Sequence, residues 1–304
     1  MKRRAFLGNT LAASASLGLG LGSLTSCSES SERKITILHT NDVHSHIEAF
    51  EMDHARYPGM GGVARRASLI QSIRQENPNT LLFDAGDIFQ GTPYFNYFGG
   101  ELEFKMMSKL GYDGSTIGNH DFDNGIDGLE RQLPNAKFDF IISNYDFSDT
   151  VMDGRTDRFK IYEKGGIKVG VFGLGIRLKG LVDPALYKET KYLDPVEITQ
   201  DMTKVLREEQ HCDLVIALSH LGYNYKSNPD RISDLTLAKK TEGVDLIIGG
   251  HTHTFLKKPT VVRNRADKNL LVNQVGCWGV QVGRIDFEFN SRGKSSEKGT
   301  SIVV

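Results

Sequence analysis

Five short apolar runs in this chain each empty into aspartate, histidine or asparagine, and that recurrence narrows the possible folds sharply. Lys34 to His39 leads into Thr40-Asn41-Asp42-Val43-His44, Thr80 to Phe83 into Asp84-Ala85-Gly86-Asp87, and Gly114 to Ile117 into Gly118-Asn119-His120-Asp121-Phe122-Asp123. Leu214 to Leu218 leads into Ser219-His220, and Leu246 to Ile248 into Gly249-Gly250-His251-Thr252-His253. A single ending of this kind is ordinary, because strands end in turns and turns favour glycine and short polar residues. Five in succession are more than turn chemistry explains. The runs have strand length and alternate with helical patterns, which reads as an α/β fold. In open α/β sheets the carboxyl ends of the strands form the ligand-binding edge, so groups about 200 residues apart can converge in one crevice.

The intervening segments read as packing. Val63, Ala67, Ile70 and Ile73 recur at helical spacing after Gly61-Gly62. Asp194-Pro195-Val196-Glu197 has the form of a capping box, opening a helix whose Met202, Val205 and Leu206 face inward. Lys164-Gly165-Gly166 reads as a hairpin turn between Phe159–Tyr162 and Ile167–Phe172, which makes the sheets mixed. Leu270 to Phe289 reads as a closing hairpin around Gly276-Cys277-Trp278-Gly279.

The strand ends offer two or three carboxylates, three or four imidazoles and one amide, with no thiolate. Oxygen and nitrogen donors suit zinc, manganese, iron or magnesium and exclude a thiolate structural zinc site. The donors outnumber what one tetrahedral ion needs, whereas two divalent metal ions sharing a carboxylate would use all of them. Two ions about 3.5 to 4 Å apart acidify a water held between them and clamp the attacking and leaving oxygens of an in-line phosphoryl displacement. Such chemistry hydrolyses a phosphate ester or anhydride. His120, beside a ligand-type asparagine and three residues before Asp123, suits stabilising the transferring group or protonating the leaving oxygen.

In order along the chain, Ile37-Leu-His-Thr-Asn-Asp42-Val-His44, Gly86-Asp87-Ile-Phe-Gln-Gly91, Gly118-Asn-His-Asp-Phe-Asp123, Ser219-His220-Leu-Gly222 and Gly250-His-Thr-His253 resemble the motifs of the calcineurin-like dinuclear metallophosphoesterases, and within them the 5'-nucleotidase branch. The resemblance covers about residues 35 to 290 and implies a layered sandwich of two mixed β-sheets flanked by helices. It also implies that Asp42, His44, Asp87 and His253 hold a first metal, with Asp87 as bridge and Asn119, His220 and His251 holding a second. His120 would then be the catalytic histidine and Asp123 its partner. Asp84 competes with Asp87 for the bridge, but only Asp87 follows the family's Gly-Asp pattern. His39, His46, His54 and His211 are read as structural or exposed, with His46 close enough to support the ligands.

Two departures bear on function. The family usually has glutamate where Asp121 stands, which keeps the charge. Family nucleotidases also carry a C-terminal domain that binds the nucleoside, and this chain stops at Val304, so a separately encoded nucleotide-binding domain is expected as a partner. The substrate expected is a nucleotide or another small phosphoester, with a UDP-sugar or a 2',3'-cyclic phosphate as alternatives. A surface lipoprotein keeping the fold as an inactive binding module is the reading from another class, and the intact ligand set argues against it. Tyr223, Tyr225 and Trp278 are aromatic candidates for stacking on a base.

Residues 1 to 26 read as an export signal. Lys2-Arg3-Arg4-Ala5-Phe6-Leu7 has a twin-arginine form, an apolar stretch runs from Leu11 to Leu24, and Leu24-Thr25-Ser26-Cys27 resembles a lipobox that makes Cys27 the lipid-bearing first residue. Residues 27 to 34 read as a polar tether and 35 to 304 as the metallophosphoesterase domain. Export to the periplasm or outer membrane, anchored through Cys27, is the expected localisation. A net charge of -1, with basic and acidic residues interspersed, gives no footprint for polymeric nucleic acid.

Overall fold

A computed structural model describes residues 32–304. The export signal, Cys27 and most of the tether lie outside these residues, and β1 begins at Arg33, two residues inside the segment read as tether.

In chain order the strands are β1 (Arg33–Thr40), β2 (Thr80–Asp84), β3 (Gly114–Ser115), β4 (Asp139–Phe140) and a short β5 (Tyr145–Asp146). They continue as β6 (Phe159–Lys164), β7 (Ile167–Leu174), a short β8 (Lys191–Tyr192), β9 (Leu214–Ser219) and β10 (Leu246–Gly249). The last four are β11 (Thr260–Arg263), β12 (Asn269–Asn273), β13 (Gln281–Asn290) and β14 (Gly293–Val303). One six-stranded sheet has the order β14-β13-β1-β2-β3-β4, a second has β11-β12-β10-β9-β7-β6, and β5 pairs with β8. Both large sheets are mixed: the first is parallel from β1 to β4 and antiparallel on its β13–β14 side, and the second has a parallel centre with antiparallel strands on both flanks. The architecture is the expected sandwich of two mixed sheets with helices outside.

Three apolar layers explain why the strands read as unbroken apolar runs. Ile35, Ile37, Leu81 and Phe83 meet Val169, Val171, Ile216 and Ile248 between the sheets. Leu38 and Leu82, one residue out of step, pack outward against Ile70, Ile73, Phe104 and Met107. On the other outer face Val215, Ala217 and Ile247 cover Ile198, Met202 and Leu206. Successive strand residues point to opposite faces, so a strand buried on both must be apolar at every position.

Parallel pairing then brings the strand ends level. Thr40 lies beside Asp84 and Asp84 beside Ser115 in the first sheet. Ser219 lies between Leu174 and Gly249 in the second. The loops that follow all leave from corresponding edges.

The hairpin at Lys164–Ile167 forms as expected, and Ile70 and Ile73 are buried on the helix Val63–Glu76. Asp194 caps the helix Pro195–Lys204 by accepting the Val196 and Glu197 N–H groups, at 2.8 and 3.1 Å. The closing hairpin around Gly276–Gly279 does not form. β12 belongs to the second sheet and β13 to the first, so this segment crosses between them, and the hairpin is β13–β14 instead. The crossing is tied to the loop after β1: the Trp278 N–H donates to the Asp42 carbonyl at 2.7 Å and Asn41 Nδ2 to the Gly276 carbonyl at 2.6 Å. Those bonds satisfy backbone groups that a two-strand turn would have paired internally.

Candidate metal centre

All seven expected ligands and both expected catalytic residues come from the loops at this edge, and the fold brings them together. Asp42, His44 and His253 form one group whose donor atoms lie within 4.8 Å of one another, and Asp87, His220 and His251 form a second. Asp87 connects them, with Oδ2 3.0 Å from His220 Nε2 and 3.9 Å from His44 Nε2. Asn119 joins the second group through Oδ1, 2.8 Å from His251 Nδ1.

The backbone bends hard to achieve this. Asp42, His44, Asp87, His251 and His253 have φ of 50°, 50°, 56°, 70° and 49°, left-handed values that non-glycine residues rarely adopt. Each costs on the order of 1–3 kcal/mol unless its surroundings impose it, and such strain concentrates at functional sites. The surroundings here do so. The Asp42 N–H donates to the Gly86 carbonyl at 2.9 Å, the His44 N–H to the Asp87 carbonyl at 3.1 Å, and the His251 N–H to the Asp42 carboxylate at 3.0 Å. A Cβ on Gly250 would sit 2.8 Å from His220 Nδ1, so only glycine lets that loop approach.

The donor chemistry fits cations. His220 is fully buried and its Nδ1 faces the Ala85 carbonyl at 2.6 Å, which requires the proton there and leaves the lone pair on Nε2 aimed at the cluster. That Nε2 makes no aligned hydrogen bond although Asp87 Oδ2 is 3.0 Å away. A proton on Nε2 would form an ion pair with Asp87. The misalignment suits a cation bound by both groups better. His44 repeats the pattern, with Nδ1 3.2 Å from the Phe89 carbonyl and Nε2 3.0 Å from His253 Nε2. Burial pushes the His44 pKa down and His251 down to about 4, so both rings are neutral ligands near pH 7. When no cation lies between them, burial alone would lower His220 and raise Asp87, but their opposite charges outweigh it: His220 rises to about 10 and Asp87 falls well below the usual carboxylate range, and a divalent ion would take the place of that Nε2 proton.

His120 stands beside these groups and outside both. Its Nδ1 is 2.8 Å from Asp123 Oδ2, its backbone N–H donates to Asp87 Oδ1 at 2.8 Å, and its side chain is 39% exposed. The hydrogen bond to Asp123 raises its pKa against burial.

Several residues that support the ligands are not evident from sequence. Asp121, fully buried, accepts the N–H groups of Asp87 (3.1 Å), Ile88 (2.9 Å), Phe89 (3.2 Å) and Gly118 (2.8 Å) and so shapes the Asp87 loop. Asn41 donates to Asp42 Oδ2 at 2.6 Å, and Gln274 donates to the Gly250 carbonyl at 2.5 Å. Asp234, buried near Gly249, accepts from the Ser219 hydroxyl at 2.5 Å. Asn41 and Asp121 lie within the ligand-bearing motifs without a supporting role to mark them, and Gln274 and Asp234 show only a polar type in a segment that the fold buries.

Asp84 lies outside both groups, accepting from the Thr40 hydroxyl at 2.5 Å and the Gly86 N–H at 2.8 Å, with burial pushing its pKa up to about 7. His46 packs with Phe50 and Trp278, and His39 is buried between the sheets. The Tyr225 hydroxyl donates to the Leu221 carbonyl at 2.7 Å and Tyr223 pairs with Thr260 at 2.8 Å, so both rings are held by the fold. Trp278 lies 6.5 Å from the His253 ring within an aromatic cluster.

Residues 35–255 match the model of the calcineurin-like phosphoesterases. The chain belongs to that family. It is 34% identical over 282 residues to a snake venom 5'-nucleotidase of Naja atra, covering 86% of this chain and 51% of that protein. A trifunctional nucleotide phosphoesterase of Bacillus subtilis is 33% identical over 291 residues, covering 85% of this chain and 18% of that protein. Among solved structures, a 5'-nucleotidase precursor from Thermus thermophilus superposes with a TM-score of 0.79 at 33% identity, covering 89% of this phosphoesterase chain and 54% of the other. This family member thus spans about half the length of the nucleotidases it matches, or less.

Proposed function

We propose that the chain is a metal-dependent phosphohydrolase of 5'-nucleotidase type, acting on nucleotides or related phosphoesters. The observation that carries this reading is the pair of adjacent ligand groups joined through Asp87. In it Asp42, His44, Asp87 and His253 hold one divalent ion, and Asp87, Asn119, His220 and His251 hold the other. Two such ions, when bound, supply Lewis acidity to phosphoryl oxygens and acidify a water. The chain's own groups do the remainder. Asp42 and Asp87 alone would repel a phosphate dianion, so substrate binding depends on the cations they retain. His120, partly exposed at the rim, hydrogen-bonds a phosphoryl oxygen or gives a proton to the leaving oxygen, while Asp123 fixes its tautomer through Nδ1.

UDP-sugar hydrolysis and 2',3'-cyclic phosphodiesterase activity would use the same centre, and the Bacillus relative named a trifunctional nucleotide phosphoesterase shows that a related chain carries more than one activity. Hydrolysis of AMP, UDP-glucose, 2',3'-cyclic AMP and an aryl phosphate, with and without chelator, separates these readings. Chelator-sensitive turnover of AMP above the others supports the nucleotidase, and no turnover of any substrate refutes the enzyme.

Export and lipid anchoring at Cys27 belong to the same proposal and rest on Arg3-Arg4 and Leu24-Thr25-Ser26-Cys27. Cys27→Ser should release the protein from membranes; unchanged membrane retention would contradict the anchor.

A further inference from the structure

Beside the metal centre, a groove of about 570 Å³ opens beyond the carboxyl ends of β7 and β9, with Arg177, Lys179, Tyr192, Leu221 and Arg231 in its wall. Leu221 is the residue after His220, so the groove begins one position from a metal-ligand candidate. A hollow of about 270 Å³ continues it and shares Arg177, Lys179 and Tyr192.

The cations of this wall are uncommitted and partly fixed. Among the described residues, no ion pair or side-chain hydrogen bond engages Arg177, Lys179 or Arg231. Arg177 lies 5.4 Å from the Tyr192 ring centroid and Arg231 3.9 Å from that of Tyr225. A guanidinium stacked on a ring keeps its N–H edge free and loses little rotamer freedom when an anion arrives. Tyr225 is itself held by its bond to the Leu221 carbonyl. Of the two acids in the wall, Asp194 is occupied in capping its helix, and Asp230 is on the exposed loop. The Tyr223 N–H donates to Thr252 Oγ1 at 2.9 Å, so the loop that carries Tyr225 packs against the His251–His253 loop.

We propose that this groove is a second anion subsite, taking the distal phosphate of a substrate whose scissile phosphoryl group is at the metal centre. Resting on the phosphohydrolase reading, it gives substrates with two or more linked phosphates a contact that simple monoesters lack. Arg177 and Arg231 supply paired N–H donors to phosphate oxygens, and Lys179 adds a point charge.

Titration calorimetry of the full metal-loaded chain with inorganic tripolyphosphate and with orthophosphate tests this, comparing wild type, Arg177→Gln/Arg231→Gln and the remote control Arg263→Gln. The double variant should bind tripolyphosphate at least about tenfold more weakly, from the loss of charge-assisted hydrogen bonds, with orthophosphate affinity within about twofold of wild type. Arg263→Gln should match wild type. Unchanged tripolyphosphate affinity in the double variant, or equal losses for both anions, overturns the subsite. Turnover of an aryl phosphate by the wild type, measured alongside, tests the hydrolytic reading separately. An inactive wild type whose double variant still loses tripolyphosphate affinity would overturn the hydrolysis and the substrate role, and leave the anion groove standing.

Discussion

The Asp121 carboxylate holds the Asp87 backbone in place: Oδ2 accepts the Asp87 N–H at 3.1 Å, and both oxygens take further N–H groups from Ile88, Phe89 and Gly118. Asp87 itself sits at a φ of 56° and joins the two ligand groups. Replacing the carboxylate by an amide puts an N–H₂ group against these donors. Asp121→Asn should therefore cost about 1–3 kcal/mol of folding stability, as expected for buried donors left unsatisfied, and lower metal affinity about 10- to 100-fold. Urea unfolding and metal titration of the variant check this, and wild-type values for both would remove Asp121 from the support of the site.

His120 touches Asp123 and the Asp87 carboxylate through different atoms, and belongs to neither ligand group. His120→Asn should lower kcat for an aryl phosphate by about 10²- to 10⁴-fold, the range for losing a positioned proton donor, while bound metal stays near the wild-type level. Loss of metal in this variant would make His120 a ligand.

His39 is buried between the sheets, its Nε2 2.9 Å from Asn273 Nδ2, and burial lowers its pKa from 6.5 to about 3. The unfolded chain binds a proton here below pH 6.5, whereas the folded chain does so only near pH 3. Stability from neutral His39 is therefore complete above pH 6.5 and falls as the solution is acidified, by about 1.4 kcal/mol per pH unit within that window. His39→Gln keeps an acceptor for Asn273 without titrating. Urea midpoints measured from pH 7 to pH 4 should converge between wild type and variant, or cross, as the pH falls; a pH-independent difference would contradict the burial account.

The cluster of candidate ligands could be read from the chain because each candidate lies within a few residues of a doubly buried strand, and such strands show themselves as continuous apolar runs. Thr40, Asp84 and Ser115 end level in one sheet, Leu174, Ser219 and Gly249 in the other, so neighbouring endings become neighbouring groups. Asp84 and Asp87 differ in type by nothing; the motif separates them, and in the fold Asp84 is bonded to Thr40 and Gly86. What stayed hidden depends on long-range approach. Gln274 and Asp234 reach the His251 loop and Ser219 only after the second sheet is assembled. Gly276–Gly279 has the composition of a hairpin turn, yet its bonds to Asn41 and Asp42 carry it from one sheet to the other. The Arg177–Arg231 groove joins loops more than fifty residues apart, and no local pattern marks it.

Asp42, His44 and His253 are proposed to hold one ion, and Asp87, Asn119, His220 and His251 a second, with Asp87 shared. The most direct test is elemental analysis of the purified full chain beside its Asp87→Asn variant. About two divalent ions per wild-type molecule are expected, with fewer in the variant and no detectable turnover of an aryl phosphate by it. Fewer than about one ion per wild-type molecule, or an Asp87→Asn variant that keeps both ions and its activity, would contradict this assignment.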